Sequence, residues 1–547
     1  MPKKASWKDD DIYMLDTESA GADNLPRDDK RHRERIWLWC AVKCYDTKVR
    51  FHGFDIKSMV EWLGSGRKLV YIHNLKWDGQ FLISYLLHME GKPIWGKTVA
   101  KHLSPIETVK NPGEWTTFID DRKKSHYYYT LGVRKGVCEI RDSYKIIPES
   151  VRELGKASGN LKEHLEDYDR PRPEGYIPTA HEIEYCEYDC LAVIPHIVGL
   201  REMGLDKLTA GSNAMKWLTK EAFGQGLKND NLAIERFHRA FPMLTPTEWS
   251  FDQKAYTGGL CFVNPRYKAR EVNNIISLDA NSLYPSRMAL KPMPYGKSQH
   301  FFGKPMKASE HLLWIARIKC CFVVRKHRFP FLHNGWATLS AQFLTHSGFS
   351  DSDISPMELT LTSVDFETML RQYDVWDIQF IEGYYYKATT RYFGDPIKKL
   401  YAYKQEASKN ASECKRKGDM QGYYKWNVKK QNIKRVLNNI YGKFGQSFNQ
   451  FIGNPVLHDD EVSYEDVKTQ EEPKDNEEAL TYIPVAAFTT AYGRQWLLEQ
   501  IEKVHDRFVY CDTDSLHVIT DKDFYKDYGF ILEVSQLVLV NRNAIIV

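Results

Sequence analysis

The sequence has no apolar run long enough to cross a bilayer, no C-x-x-C pair and no large excess of either charge. The first absence removes membrane-spanning helices, and Met1-Pro2-Lys3-Lys4 is not followed by the apolar core of a signal peptide. Ten cysteines are scattered along the chain. Cys40/Cys44 and Cys186/Cys190 are spaced by four, but no His or Cys cluster follows to complete a zinc site. Reduced intracellular thiols are therefore expected. A net charge of +4 does not by itself imply a nucleic-acid partner. These absences leave a soluble, cytosolic protein whose 547 residues suffice for several domains. Aromatic residues make up 13% of the chain, a supply that suits either base stacking or aromatic cores.

What the chain does have is carboxylates at the ends of apolar runs. Tyr510-Cys511-Asp512-Thr513-Asp514-Ser515 lies between Arg507–Tyr510 and Leu516–Thr520, which read as two strands of a hairpin. Two aspartates at its tip repel one another, and a divalent cation would hold both ionised; a plain Asx turn is the alternative. Ile275–Leu278 is a second apolar strand and ends in Asp279, with Tyr284 in the turn beyond it. Tyr284 could pack against a sugar or serve as a core aromatic. Ahead of these, Tyr256-Thr257-Gly258-Gly259 is a glycine loop before a strand, either a phosphate contact through backbone N–H groups or simply a turn.

The amino-terminal part repeats the theme. Asp11–Glu18 reads as a strand whose period of two puts Asp16 and Glu18 on one face. Arg67–Asn74 is a strand that runs into a helix over about 77–89, with Asn74 and Asp78 at the switch. Asn74 could be a helix cap. Residues 125–141 alternate as paired strands around a turn near Gly132, and Asp142-Ser143-Tyr144 follows. A helix opened by Pro178-Thr179 carries Tyr185 and Asp189 on one face. Asp16, Glu18, Asp78 and Asp189 would suit two divalent ions that activate water for phosphodiester hydrolysis.

From Lys398 to Arg435 there are twelve Lys/Arg against three Asp/Glu, interleaved with Tyr401, Tyr403, Tyr423, Tyr424 and Trp426. This reads as two helices broken near Gly418–Gly422, a surface for polyphosphate or nucleic acid, or else a solvated basic face. Lys434, Asn438 and Tyr441 share one helical stripe and could grip a nucleotide's phosphate, base and sugar. Residues 470–478 form an acidic loop, and 482–498 an apolar helix with Thr490 and Arg494.

Asp279-Ala-Asn-Ser-Leu-Tyr-Pro285, Lys434-Arg-Val-Leu-Asn438-Asn-Ile-Tyr441-Gly442 and Tyr510-Cys-Asp-Thr-Asp-Ser515 stand in the order of the three polymerase motifs of family B DNA polymerases, which they resemble. Asp16-Thr-Glu18, Asn74-Leu-Lys-Trp-Asp78 and Tyr185-Cys-Glu-Tyr-Asp189 are similar to that family's three proofreading motifs. Tyr256-Thr-Gly-Gly259 and the segment inserted between the first two polymerase motifs resemble the protein-primed branch, the phi-twenty-nine-type phage replicases and their linear-plasmid relatives.

The resemblance implies a multidomain α/β and α+β fold. An RNase H-like 3′–5′ exonuclease domain over 1–200 would precede a right-hand polymerase domain. The palm would cover 201–298 and 482–520, an inserted subdomain 299–394, the fingers 395–445, a second insertion 446–481 and an atypical short tail 521–547. Asp279 and Asp514 would hold the polymerase metals with Asp512 beside them, and Tyr284 would gate against a ribose 2′-hydroxyl. Lys404, Lys434, Asn438 and Tyr441 would contact the nucleotide; Lys399 and Lys430 match further basic positions of the fingers. Thr490 and Arg494 would face the template-primer, as would Tyr256, Gly258 and Gly259. Asp16, Glu18, Asp78 and Asp189 would be exonuclease metal ligands, with Tyr185 orienting the water and Lys162 as the catalytic lysine. Ser19, Asn74, Trp77, Ser143 and Tyr144 would hold the frayed 3′ strand.

The chain departs from the family pattern at Trp77 (usually Phe or Tyr), at Asn439 (commonly Ser) and by one extra residue between Lys162 and Tyr168. Only 33 residues follow Asp514, so a thumb is largely absent and a carboxyl-terminal truncation is expected. The implied cofactor is Mg2+, two per site, with Mn2+ as an alternative. The implied partners are template-primer DNA, dNTPs and a separate terminal protein, around a monomer in the host cytoplasm and no membrane. An exonuclease-only copy and a non-catalytic DNA-binding protein are the alternative readings.

Overall fold

A computed structural model describes residues 7–21, 34–95, 98–103, 114–120, 127–134, 137–160, 170–227, 230–280, 282–332, 343–348, 353–446, 451–468, 481–520, 535–538 and 543–545. The chain opens with β1 (Ile12–Gly21), β2 (Glu34–Lys43), β3 (Arg50–Gly53), α1 (Ile56–Gly64), β4 (Lys68–Ile72) and α2 (Leu75–His88). Short strands β5 (Pro93–Trp95), β6 (Thr98–Val99) and β7 (His102–Leu103) precede β8 (Trp115–Asp120), β9 (Tyr127–Val133) and β10 (Cys138–Asp142). Then come α3 (Val151–Ser158), α4 (Ala180–Glu202), α5 (Ala210–Phe223), α6 (Asp230–Ala240) and α7 (Pro246–Ala255). The middle of the chain holds β11 (Cys261–Val263), β12 (Glu271–Asn273), β13 (Ile275–Ala280), α8 (Leu283–Leu290), β14 (Met293–Phe302), β15 (Leu312–Val324), β16 (Met357–Thr362), α9 (Ser363–Gln372) and β17 (Tyr373–Thr389). Long helices α10 (Gly394–Arg416) and α11 (Met420–Phe444) lead to the hairpin β18 (Phe451–His458) and β19 (Glu461–Lys468). The last elements are α12 (Ile483–Lys503), β20 (Phe508–Asp512), β21 (Ser515–Ile519), β22 (Ser535–Val538) and β23 (Asn543–Ile545). No helix among the described residues is long and apolar enough to cross a membrane.

Two compact units result. The first comprises Met1–Asn213, Ala402–Val436 and Ser447–Asn476; the second comprises Ala214–Tyr401, Leu437–Gln446 and Glu477–Val547. The first unit is built on one mixed sheet of order β19-β18-β8-β9-β10-β4-β1-β2-β3. β4 lies at its centre, parallel to both β1 and β10, and is buried along its whole length. A strand covered on both faces must be apolar throughout, which explains the run Leu69-Val70-Tyr71-Ile72. Lys68 at its start is tolerated because its ammonium donates to the carbonyls of Trp62 (2.7 Å) and Gly66 (3.0 Å). Each fully buried Leu, Ile or Val of this core contributes roughly 1.5–3 kcal/mol.

Gly132 sits inside β9 and not in the turn expected there; the turn falls at Arg134–Val137, closed by the Val137 amide on the Arg134 carbonyl. The reason for glycine at 132 is packing: a Cβ there would meet the Thr116 hydroxyl at 2.3 Å. The break between the two basic helices falls at 417–419, with Gly418 at a φ of +75° that suits glycine, while Gly422 lies within α11.

The second unit has a five-stranded antiparallel sheet of order β11-β20-β21-β13-β22 and a four-stranded sheet β14-β17-β15-β16. α12 is buried along most of its length. One apolar core joins Leu278, Leu516 and Val518 of the first sheet, Trp314, Ile318 and Phe322 of the second, Met369 of α9, and Leu497, Leu498 and Ile501 of α12. The segment inserted at 299–394 thus shares its core with the strands that flank it in sequence. The apolar stretch after residue 520 supplies two strands: β22 pairs with β13, with Gln536 opposite Asp279, and β23 pairs with β12.

Candidate active sites

In the second unit strand register brings three aspartates to one end of the sheet. β13 and β21 pair so that Asp279 stands opposite Ser515, and β20 pairs Asp512 with the same Ser515. Directly opposed residues of an antiparallel pair lie about 4.5–5.5 Å apart at Cα. The Ala280 amide donates to the Asp514 carbonyl at 2.8 Å, which ties the turn to the end of β13. Thr513, between the two aspartates, has a φ of +56°; its amide donates to the Leu260 carbonyl (2.8 Å) and its hydroxyl to Asp512 Oδ1 (3.1 Å). A left-handed threonine is strained by about 1–3 kcal/mol, and the loop 256–260 supplies the contact that holds it.

Tyr284 forms the wall beside this turn. Its ring lies 4.3 Å from that of Tyr441, and burial pushes its hydroxyl well above the ordinary phenol range. Two glycines make room for it. A Cβ on Gly259 would sit 2.7 Å from the Tyr284 hydroxyl and 2.8 Å from that of Thr513, and one on Gly493 would sit 2.9 Å from the ring. Tyr441 is raised too, first by burial and then by the Asp514 charge. Tyr256 is half-buried, and its ring packs where a Cβ on Gly445 would lie.

Thr490 and Arg494 are buried in α12 rather than exposed. Arg494 donates to the carbonyls of Thr257 (2.8 Å) and Gly258 (2.7 Å) and pairs with Asp365 through both carboxylate oxygens at 2.8 Å. Thr490 turns its hydroxyl back onto the Ala487 carbonyl at 3.1 Å. The arginine therefore fixes the glycine loop that supports Thr513.

In the first unit Asp16 and Glu18 lie on one face of β1, and a single ligand atom from each falls within 4.8 Å of the Cys186 sulfur on α4. The register of β1 shifts between Glu18 and Ser19, a bulge of the kind that re-aims side chains at functional sites. Ser19 is buried. α4 is started by a capping box in which Thr179 and Glu182 each satisfy the other's backbone amide. That fixes the helix turn bearing Tyr185 and Asp189, both half-buried. Asp78 is buried in the first turn of α2, and Thr17 Oγ1 donates to its Oδ1 at 2.5 Å. Burial pushes the Asp78 carboxyl up to about 7, and the charges of Asp142 and Asp189 act in the same direction. Hard carboxylate oxygens gathered in a site that penalises their negative charge fit a divalent cation. Asp16, Glu18, Asp78 and Asp189 could hold it here, and Asp279, Asp512 and Asp514 in the second unit.

Asn74 occupies the N-cap position of α2 but does not cap it: φ is +66° and its side chain makes no capping bond. Instead its amide donates to Asp142 Oδ1 (3.1 Å), which also accepts from the Tyr144 amide (2.9 Å). Ser143 is fully buried between the His73 ring (3.0 Å) and the Ile72 carbonyl (3.2 Å). Trp77 and Tyr144 remain exposed, at 46% and 38%. This corner thus offers two aromatic faces on a backbone clamped by Asp142.

Of the basic positions, Lys434 and Asn438 are exposed on α11, while Lys404 and Lys430 are half-buried. Lys399 is paired with Glu221 at 2.7 Å. Lys162 and the acidic loop at 470–478 lie outside the described residues. Sequence reasoning missed Asp142, Asp365 and Cys186. Asp142 had a signal, an aspartate closing a strand immediately before Ser-Tyr; Asp365 and Cys186 matter through tertiary contact and had none.

The family model for DNA polymerase type B, organellar and viral, matches residues 158–526, roughly two thirds of the chain. The DNA polymerase of Bacillus phage Nf is 29% identical over 493 residues, covering 88% of this chain and 77% of its own length. That of Bacillus phage phi29 is 28% identical over 494 residues, covering 88% and 76%. The solved structure of phi29 DNA polymerase complexed with primer-template DNA matches with a TM-score of 0.75 at 26% identity, over 93% of this chain and 80% of that one. Such coverage takes in residues of both units. The chain belongs to the type B DNA polymerases of the organellar and viral family, and it is a DNA polymerase of the phi29 type.

Proposed function

We propose that this DNA-directed nucleotidyltransferase extends a DNA primer at the Asp279/Asp514 centre and proofreads it 3′ to 5′ at the Asp16/Glu18/Asp78/Asp189 centre. The observation that carries the first half is the register of β13 on β21, which brings Asp279 to the turn bearing Asp512 and Asp514. When bound, two magnesium or manganese ions per centre would offset the charge developing on the phosphate and make the attacking oxygen more acidic.

The residues do the rest by placement. Tyr284 is backed by Gly259 and Gly493 and faced by Tyr441, so its ring cannot retreat. A ribose 2′-hydroxyl reaching it would meet a fixed wall. Lys434, Asn438 and Tyr441 on α11 contact the incoming nucleotide, with Lys404 and Lys430 adding positive charge. Arg494 acts through the loop at 257–258 and not by touching DNA. At the proofreading centre Trp77 and Tyr144 stack the unpaired 3′ bases, each stack worth about 1–3 kcal/mol, Tyr185 orients the water, and Lys162 is the candidate lysine. Initiation from a hydroxyl of a separate terminal protein is supported by the glycine loop at 256–259 and by the segment at 299–394, which accompany that mode in the resembling branch. The enzyme acts as a monomer in the host cytoplasm.

The test of the second half is a labelled single-stranded oligonucleotide incubated with magnesium. Stepwise shortening from the 3′ end, abolished by Asp16→Ala and by a chelator, is expected. An oligonucleotide left intact by the wild-type protein would exclude the proofreading role.

A further inference from the structure

α11 carries two stripes, and only one of them is accounted for by nucleotide contact. The other docks on α3 and α4, all within the first unit. Gly159, at a φ of +81°, lies against the Tyr424 ring, where a Cβ would come within 2.5 Å. Asn432, fully buried, donates to the His196 carbonyl at 3.0 Å, and a Cβ on Gly199 would strike its amide at 2.9 Å. One turn further on, Arg435 is buried to 7% exposure. Its Nε donates to both oxygens of Glu149 (2.7 and 3.0 Å), its Nη2 pairs with the same carboxylate, and its Nη1 meets Asn432 Oδ1 (2.5 Å) and His196 Nδ1 (3.2 Å). Glu149 is held in turn, since its carbonyl accepts from the His73 ring at 2.8 Å. A guanidinium with every face engaged sets both the depth and the rotation of its helix, because a planar fork admits one geometry.

Arg435 follows Lys434 directly, so the two side chains leave α11 about 100° apart. We propose that Arg435 is a positioning residue for nucleotide binding: clamped to Glu149, it fixes the rotation of α11 and so the direction in which Lys434 and Asn438 are presented. The proposal rests on the reading of Lys434 and Asn438 as nucleotide contacts. A clamp that only stabilised the fold would change the melting temperature and the amount of active enzyme. A clamp that aims a binding stripe changes the KM for dNTP while kcat is kept.

The experiment is steady-state primer extension with the full chain, comparing wild type, Arg435→Lys, Arg435→Leu, Glu149→Gln and Lys434→Ala. Single-strand cleavage by each variant serves as the check that it is folded. Arg435→Leu and Glu149→Gln are expected to raise the KM for dNTP about tenfold with kcat within about twofold, and Arg435→Lys, which keeps the charge but loses the fork, to fall between. If Lys434→Ala raises KM while Arg435→Leu and Glu149→Gln leave it unchanged, the positioning role is overturned and the nucleotide stripe stands. If Lys434→Ala leaves KM unchanged, the stripe is not the nucleotide contact and the proposal falls with it. Should Arg435→Leu fail to fold, Glu149→Gln, whose side chain is more exposed, decides the question alone.

Discussion

Gly259→Ala adds one methyl group at the point where the loop at 256–260, the Asp512–Asp514 turn and Tyr284 come closest. The new Cβ would stand 2.7 Å from the Tyr284 hydroxyl, 2.8 Å from Thr513 Oγ1 and 2.9 Å from Thr513 Cγ2. All three are below van der Waals contact, so something must move. Tyr284 cannot yield easily, because Gly493 and Tyr441 close its other sides. Thr513 can, but only by shifting the turn that fixes Asp512 and Asp514. Overpacking of this kind costs about 1–3 kcal/mol. If most of that falls on the catalytic geometry, extension slows by roughly 5- to 150-fold. The assay is single-turnover primer extension with dNTP and, separately, with rNTP, beside exonuclease activity as an internal control. Slowed extension, altered discrimination between the two sugars and unchanged single-strand cleavage are expected. A variant that extends within about twofold of wild type and discriminates normally would refute the argument that this glycine is there for space.

Other outcomes follow from the same geometry. Asp279→Asn or Asp514→Asn should abolish extension and leave single-strand cleavage intact, as read on one labelled primer. Arg494→Met leaves Asp365 buried without its partner and frees the Thr257 and Gly258 carbonyls, a loss of about 3–5 kcal/mol visible as a lower melting temperature. Trp77→Ala should weaken single-stranded DNA binding by about 1–3 kcal/mol without affecting duplex extension, measured by fluorescence anisotropy. Burial pushes the His73 and His196 imidazoles down to about 4 and about 3. Their ordinary value is near 6.5, so on acidification the unfolded chain takes up these protons first. Stability is therefore full above pH 6.5 and declines as the pH falls towards 4 and 3. Asp142, held up to about 6 by burial, acts in the opposite sense, so the comparison is made against His196→Gln. The urea midpoint of the variant should fall less between pH 7 and pH 5 than that of wild type.

The strands that bear the candidate carboxylates were legible because their period is short and their ends are marked. Asp16 and Glu18 share a face by alternation alone, and Asp512-Thr-Asp514 sits between two apolar runs that could hardly be other than a hairpin. Pro178-Thr179 marked the start of α4 in the same way, with Thr179 at its N-cap. What could not be read depended on residues far apart in the chain. Nothing local says that Arg494 turns inward to Asp365, some 130 residues away, or that Lys399 is engaged by Glu221. Gly132 looked like a turn because glycine usually marks one; its true reason is the Thr116 hydroxyl on the neighbouring strand. Asn74 looked like a cap because asparagine caps helices, yet Asp142 takes over by binding the amides of both Asn74 and Tyr144. Nothing local in the inserted segment says that its apolar face is completed by α12 and the strands beside it.

The most direct test of the account is a labelled primer-template incubated with magnesium, with and without dNTPs, using wild type, Asp514→Ala and Asp16→Ala. The account predicts that wild type lengthens the primer when dNTPs are present and shortens it when they are absent. Asp514→Ala should only shorten it, and Asp16→Ala should only lengthen it. A wild-type protein that shortens the primer even with dNTPs present, or an Asp514→Ala variant that still extends it, would contradict the claim that synthesis is centred on Asp279 and the Asp512–Asp514 turn.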